Sequence, residues 1–113
     1  MDCIFCKIVA GTIPAKKVFE SDQVLAFEDI AKVAPVHVLV IPKRHIESVL
    51  DLSPQDAELL AALQTGITSV AQQTGVAGTG FRVVSNCGAS AGQSVFHLHY
   101  HVIGGRELAL SLG

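Results

Sequence analysis

The chain has 113 residues, half of them hydrophobic and 16% charged, with a formal net charge of −2 at pH 7. That length suits one domain, and the mild acidity argues against a partner held through a nucleic-acid backbone, which calls for a basic face. No apolar run approaches the ~20 residues that cross a bilayer, and "MDCIFCKIVAG" is too short and weakly basic for a secretory signal. A cytoplasmic protein without nucleic-acid or membrane partners is expected.

A mean hydropathy of +0.47 points to apolar surface beyond what so small a chain covers alone, and a homodimer interface is the simplest cover. No repeat, low-complexity tract or linker divides residues 1–113, so a single domain is expected.

In chain order, "CIFCKIVAG" places Ile4, Phe5, Ile8 and Val9 at helical spacing, with Asp2 available as a cap and Gly11 as a stop. Cys3 and Cys6 share one face of that helix, which suits two thiolates on one Zn²⁺. Two buried thiols are the plainer alternative. The odd total of three cysteines favours metal or redox chemistry over a disulfide framework. "KVFE" and "QVLAFED" are strand-like runs joined through "SD", a hairpin signal. "HVLVIP" (37–42) is a further strand closed by Pro42, and "HIESVLDL" contains a helical turn.

The long helix opens at "SPQDAELLAAL". Ser53 is the expected cap, Pro54 the first helical residue and Asp56 the capping acid. Leu59, Leu60, Leu63, Ile67 and Val70 form its apolar stripe, and Gly75 is its stop. "GFRVVSN" (80–86) predicts a strand, "CGASAGQS" a small-residue loop, and "VFHLHYHVI" (95–103) the last strand. The strands before the long helix leave no room for helical crossovers, so the class is α+β with an antiparallel sheet.

Three of the five histidines stand in "FHLHYH". Period two puts His97, His99 and His101 on one face of a strand, with neighbouring Cα atoms roughly 6.6–6.8 Å apart. Phe96, Leu98, Tyr100 and Val102 then face the core. Such a row fits a solvent-facing strand, a metal site or an acid–base or nucleophilic centre. The preceding "NCGASAGQS" (86–94) can turn backbone N–H groups inward as an anion nest, and Asn86, Gln93 and Ser94 add donors. The combination favours chemistry at phosphorus over metal storage.

At this point "QSVFHLHYHVIGGR" resembles the signature of the histidine triad (HIT) nucleotide-binding proteins, in which histidines alternate with apolar residues. Tyr100 stands where an aliphatic residue or methionine is usual. "IFCKIVAGTIPAKKVFESDQVLAFEDI" is similar to the family's opening helix and hairpin, "APVHVLVIPKRHI" to its next strand, and "HVIGGR" to its HINT-like branch. The resemblance implies a five-stranded antiparallel sheet with one long and one short N-terminal helix, paired in a homodimer with a continuous ten-stranded sheet. It implies hydrolysis of purine nucleoside 5′-phosphoramidates and acyl-adenylates through a nucleotidyl-histidine. Dinucleoside polyphosphate hydrolysis, or nucleotide binding with weak hydrolysis, are its alternatives.

Carried over, the resemblance makes His99 the nucleophile and has His101 bind the phosphate and the bridging atom. Ser94 is placed at the leaving group, and Asn86, Gly92, Gln93 and Val95 at the phosphate. His37 supports the triad from the neighbouring strand. Asp29 takes the ribose hydroxyls, and Ile30, Phe27, Phe5, Ile8, Ile13 and Leu39 surround the base. Members that carry Cys-x-x-Cys imply a structural Zn²⁺ on Cys3, Cys6, His45 and His97. The short tail "ELALSLG" lacks the aromatic and proline residues with which some relatives tune specificity.

Overall fold

The computed structural model describes residues 2–112. Its elements are α1 (Ile4–Val9), β1 (Lys17–Glu20), β2 (Val24–Glu28), β3 (Val36–Pro42), α2 (Ala57–Gln73), α3 (Val76–Thr79), β4 (Phe81–Val84) and β5 (Tyr100–Gly104). The five strands form one sheet in the order β1-β2-β3-β5-β4, and every neighbouring pair is antiparallel. This is the expected α+β fold.

The central strands read as continuous apolar runs because both sheet faces are covered. Val24 and Ala26 of β2, with Val38 and Val40 of β3, pack with Leu59, Leu63 and Val70 of α2. The alternate residues Leu25, Phe27, Leu39 and Ile41 pack with Phe5 and Ile8 of α1. Strand periodicity thus sorts side chains between a large core under α2 and a smaller one under α1. His37, opposite Ile103, and His101, opposite Leu39, occupy odd positions and fall on the α1 face.

Helix α2 uses Leu59, Leu63, Gly66 and Val70 as its buried line, whereas Leu60 stays 38% exposed. Gly66, outside the expected stripe, joins the buried line where a Cβ would lie 3.1 Å from a Val24 methyl. The Ser53–Asp56 box forms, with the Ser53 N–H donating to Asp56 Oδ2 at 3.0 Å, but it closes a 3₁₀ turn and α2 proper begins at Ala57. Gly75, with φ of +85°, follows the helix end as expected. A 3₁₀ turn at Val49–Asp51 is the turn anticipated in "HIESVLDL".

Two further local expectations fail. Asp2 does not cap α1; Cys3 does, its Sγ accepting from the Cys6 N–H at 3.4 Å. The last strand begins at Tyr100 and not at Val95. Past the Val40–Tyr100 pair, β3 ends in Pro42, which has no N–H to continue the ladder. The Leu98 N–H turns instead to the Ile46 carbonyl at 2.6 Å. Leu98 still enters the large core, but Phe96 is 49% exposed.

Gly104 on β5 shows how tightly the sheet end is packed. A Cβ there would meet Val76 Cγ1 at 2.9 Å and the Gly80 carbonyl oxygen at 3.0 Å. Because one neighbour is backbone, Gly104→Ala should destabilise by about 1–3 kcal/mol, the usual cost of overpacking, measurable by urea unfolding. Unchanged stability would mean that α3 moves aside freely.

Candidate active site and metal cluster

The α1 face of the sheet carries a cleft of about 830 Å³ lined by apolar residues of α1, β2 and β3, and by Asp29, Ser94, His99 and His101. Phe5, Ile8, Ile13, Phe27, Ile30 and Leu39, expected around a base, all line it. His99 and His101 line it together, with ring centroids 5.0 Å apart.

Hydrogen bonds to groups that can only accept or only donate fix the neutral tautomers. His99 Nδ1 lies 2.7 Å from the His97 carbonyl oxygen. A carbonyl accepts, so Nδ1 carries the proton and Nε2 keeps its lone pair. The ring is held edge-on by Phe5, centroids 5.1 Å apart and planes at 90°. A buried imidazole with one nitrogen anchored and the other unprotonated is suited to nucleophilic attack.

His37 Nδ1 accepts from the Val33 N–H at 3.2 Å, which places the His37 proton on Nε2. That nitrogen lies 2.8 Å from His101 Nδ1, so His37 donates to His101 and the His101 proton sits on Nε2. Burial, helped by His99 and His37 nearby, pushes the His101 pKa down to about 4. Burial also lowers that of His37, against the pull of Asp29. His101 is therefore a neutral N–H donor at pH 7.

These shifts make a sign-definite prediction. An unfolded chain takes protons on these histidines below about pH 6.5, whereas the folded protein resists until about pH 4 at His101. Their contribution to stability is complete above pH 6.5 and is lost as pH falls from there toward 4. The melting temperature should fall between pH 7 and pH 5; no change across that interval would contradict the neutral pair.

The loop before the histidines is braced from within. Gln93 accepts from the Gly88 N–H at 2.8 Å and donates to the carbonyls of Glu47 and Val95 at 2.7 and 3.1 Å. Asn86 Nδ2 donates to the Ala91 carbonyl at 2.7 Å. Gly88 and Gly92 take φ of +89° and +87°, values side chains rarely adopt. Of the residues expected at the phosphate, Ser94, Val95, His99 and His101 line the cleft. Asn86, Gly92 and Gln93 shape the loop from behind. Among the described residues, no backbone acceptor takes the N–H of Ser94 or Val95.

Beside this centre, Cys3, Cys6, His45 and His97 bring four ligand atoms within 4.8 Å of one another. Cys3 Sγ and Cys6 Sγ lie 3.3 and 3.6 Å from His97 Nδ1, and Cys6 Sγ lies 3.4 Å from His45 Nδ1. A tetrahedral ion with ordinary Zn–S and Zn–N bonds needs S···N edges of roughly 3.5 Å. The fully buried His97 donates from Nε2 to the Pro42 carbonyl at 2.8 Å, which leaves Nδ1 unprotonated and aimed at the thiols. Such a backbone partner is the usual orienter of a ligating imidazole. The donor set fits a possible metal-binding cluster.

Sequence reasoning missed the groups that orient the histidines: the carbonyls of Pro42 and His97 and the N–H of Val33. Every residue carries such groups, so no residue-type signal marks them. It also missed Lys16 and Lys32 on the cleft wall.

Residues 2–110 match the family model described as "Scavenger mRNA decapping enzyme C-term binding". An uncharacterized HIT-like protein of Synechococcus elongatus is 46% identical over 108 residues, 96% of this chain and 94% of that protein. Protein HitA of Neisseria gonorrhoeae is 41% identical over 103 residues, 91% of this chain and 95% of HitA. The crystal structure of a HIT family hydrolase from Legionella pneumophila superposes with a TM-score of 0.94 at 44% identity, covering 99% of this chain and 100% of the other. Sheet, cleft and histidine row thus define a protein of the HIT hydrolase-like class. The chain belongs to the histidine triad family.

Proposed function

We propose that this protein hydrolyses purine nucleoside 5′-monophosphate derivatives, phosphoramidates and acyl-adenylates, through a covalent nucleotidyl-histidine on His99. The observation that carries the proposal is the His99 Nδ1–His97 carbonyl hydrogen bond of 2.7 Å, which leaves Nε2 of a cleft-lining imidazole free to attack. As the Nε2–P bond forms, the bond from phosphorus to the leaving nitrogen or oxygen breaks. An amine leaves with a proton taken from solvent, and the water that attacks in the second step returns one. The positive charge arising on the ring is stabilised by the same carbonyl. His101 Nε2–H and the N–H groups of Ser94 and Val95 bind phosphate oxygens, and the Ser94 hydroxyl serves the leaving group. Water then attacks phosphorus, breaks the P–N bond, and releases the nucleoside monophosphate and free His99.

In this proposal Asp29 binds the ribose, and the apolar walls of the cleft, Ile30 among them, hold the base. Gly92, with Asn86 and Gln93, keeps the phosphate loop in shape, and His37 orients His101. A structural Zn²⁺ is held by Cys3, Cys6, His45 and His97 and ties α1 to the histidine segment. The three free cysteines suit a reducing, cytoplasmic setting, and no described helix is long and apolar enough to cross a membrane.

A homodimer completes the proposal. Strand β4 stands at the sheet edge with Phe81 and Val83 about 40% exposed, an edge that natural proteins cover. Joining two copies there would give a continuous ten-stranded sheet, and sedimentation velocity should show a dimer. The activity is tested by a panel of adenosine phosphoramidate, acyl-adenylate and dinucleoside polyphosphate. Turnover should be fastest on the first two, and inactivity on all three would overturn the proposal.

A further inference from the structure

The carboxylate of Asp29 has a second neighbour besides the space for a ribose. Oδ1 accepts from the Ala31 N–H at 2.8 Å, closing a local turn. Oδ2 stands 3.4 Å from His37 Nε2, and the Asp29 N–H donates to the His37 carbonyl at 3.0 Å. The same His37 Nε2 lies 2.8 Å from His101 Nδ1, so this nitrogen is hydrogen-bonded to His101 while the carboxylate stands at ion-pair distance from it. His101 holds the shorter contact, and the carboxylate stands beside it as the competing one. Asp29 is about one-fifth exposed at its side chain, against 5% for His37. The carboxylate can therefore be reached from the cleft while the histidine behind it cannot.

We propose that Asp29 is a positioning residue for the His37–His101 pair, so that a ribose diol bound at Asp29 strengthens His101 as the donor to the phosphate. The proposal rests on the ribose assignment above and adds a coupling to it. With the diol absent, the carboxylate draws on the His37 Nε2–H and weakens its bond to His101 Nδ1. Two hydroxyls donating to the carboxylate occupy its lone pairs and leave His101 as the sole acceptor. A firmer hydrogen bond into Nδ1 withdraws electron density from the His101 ring, and its Nε2–H becomes the better donor. The ionisable groups facing the pair are Asp29, Lys32 and His99; of these Asp29 is the anion. Occupation of the ribose site thus reports to the phosphate end through two imidazoles.

The test uses the full chain at neutral pH and follows the imidazole N–H proton shared by His37 and His101 by NMR. In free protein, Asp29→Asn should move this resonance, because asparagine keeps the turn to Ala31 and removes the charge. Adenosine should move it in the wild type, 2′,3′-dideoxyadenosine should not, and neither should in Asp29→Asn. In turnover, removing the 2′- and 3′-hydroxyls from a phosphoramidate should lower kcat several-fold, and not only raise KM, in the wild type. In Asp29→Asn the kcat difference should vanish. If both nucleosides bind and shift the resonance equally, or if the hydroxyls change KM alone, the coupling is overturned while the nucleotide site stands. If neither nucleoside binds, the nucleotide assignment fails first, and an unmoved resonance in free Asp29→Asn removes the carboxylate's role as well.

Discussion

Replacing His99 by alanine should lower turnover of an adenosine phosphoramidate by roughly four to six orders of magnitude, the scale seen when a catalytic nucleophile is removed. The residue is buried at 7% exposure, packed edge-on against Phe5 and anchored through Nδ1, so its placement is fixed before substrate arrives. Nucleoside monophosphate should still bind, because cleft walls, Asp29 and the phosphate loop remain. His99→Asn keeps a donor toward the His97 carbonyl without a nucleophilic ring nitrogen and should be equally inactive. By contrast, His37→Gln should lower activity far less, since His37 acts only through His101. Initial rates for the three variants, with unfolding curves to show that each is folded, check this ordering.

Removing the Zn²⁺ proposed for Cys3, Cys6, His45 and His97 should produce the second large effect, on stability. An ion present at a thousand-fold excess over its dissociation constant adds about 4 kcal/mol to the folded state, which corresponds to a fall of about 15 °C in melting temperature for a domain of this size. Cys6→Ser should reproduce most of it. The effect should reach the cleft, because α1 supplies Cys6 to the cluster and Ile4, Phe5 and Ile8 to the cleft wall. Phe5 lies against both His97 and His99. Nucleotide affinity should therefore drop with the metal. Metal analysis, calorimetry with and without chelator, and a nucleotide titration check the three parts. Purified protein with no zinc, reactive thiols at both cysteines and an unchanged melting curve would contradict them.

The features legible in the sequence are those with a periodic or spacing signature. The runs "QVLAFED" and "HVLVIP" announced strands, and the structure explains the lack of polar alternation in their centres by covering both faces. Ser53, Pro54 and Asp56 located the start of the helical segment to within one turn. The alternating histidines correctly share one face, yet only His101 lies on a regular strand. Irregular chain carries His97 and His99, and Phe96 consequently faces outward. What the sequence left hidden depends on backbone groups brought in from elsewhere. The Pro42 carbonyl sets the His97 tautomer across 55 residues, and neither partner's identity foretells the meeting. Asp29 meets His37 because the β2–β3 pairing carries on one step, the Asp29 N–H donating to the His37 carbonyl at 3.0 Å, and no residue type marks that step.

The central claim is a covalent bond between phosphorus and His99, and it is tested most directly by trapping that bond. Wild-type protein mixed with excess adenosine phosphoramidate should be quenched within a turnover under alkaline denaturing conditions, digested, and the peptides weighed. The prediction is one nucleoside monophosphate increment on the peptide containing residues 95–103, fragmenting to His99 and absent from His99→Ala. Steady turnover with no adduct on that peptide, or an adduct on His101 with His99 unmodified, would contradict it.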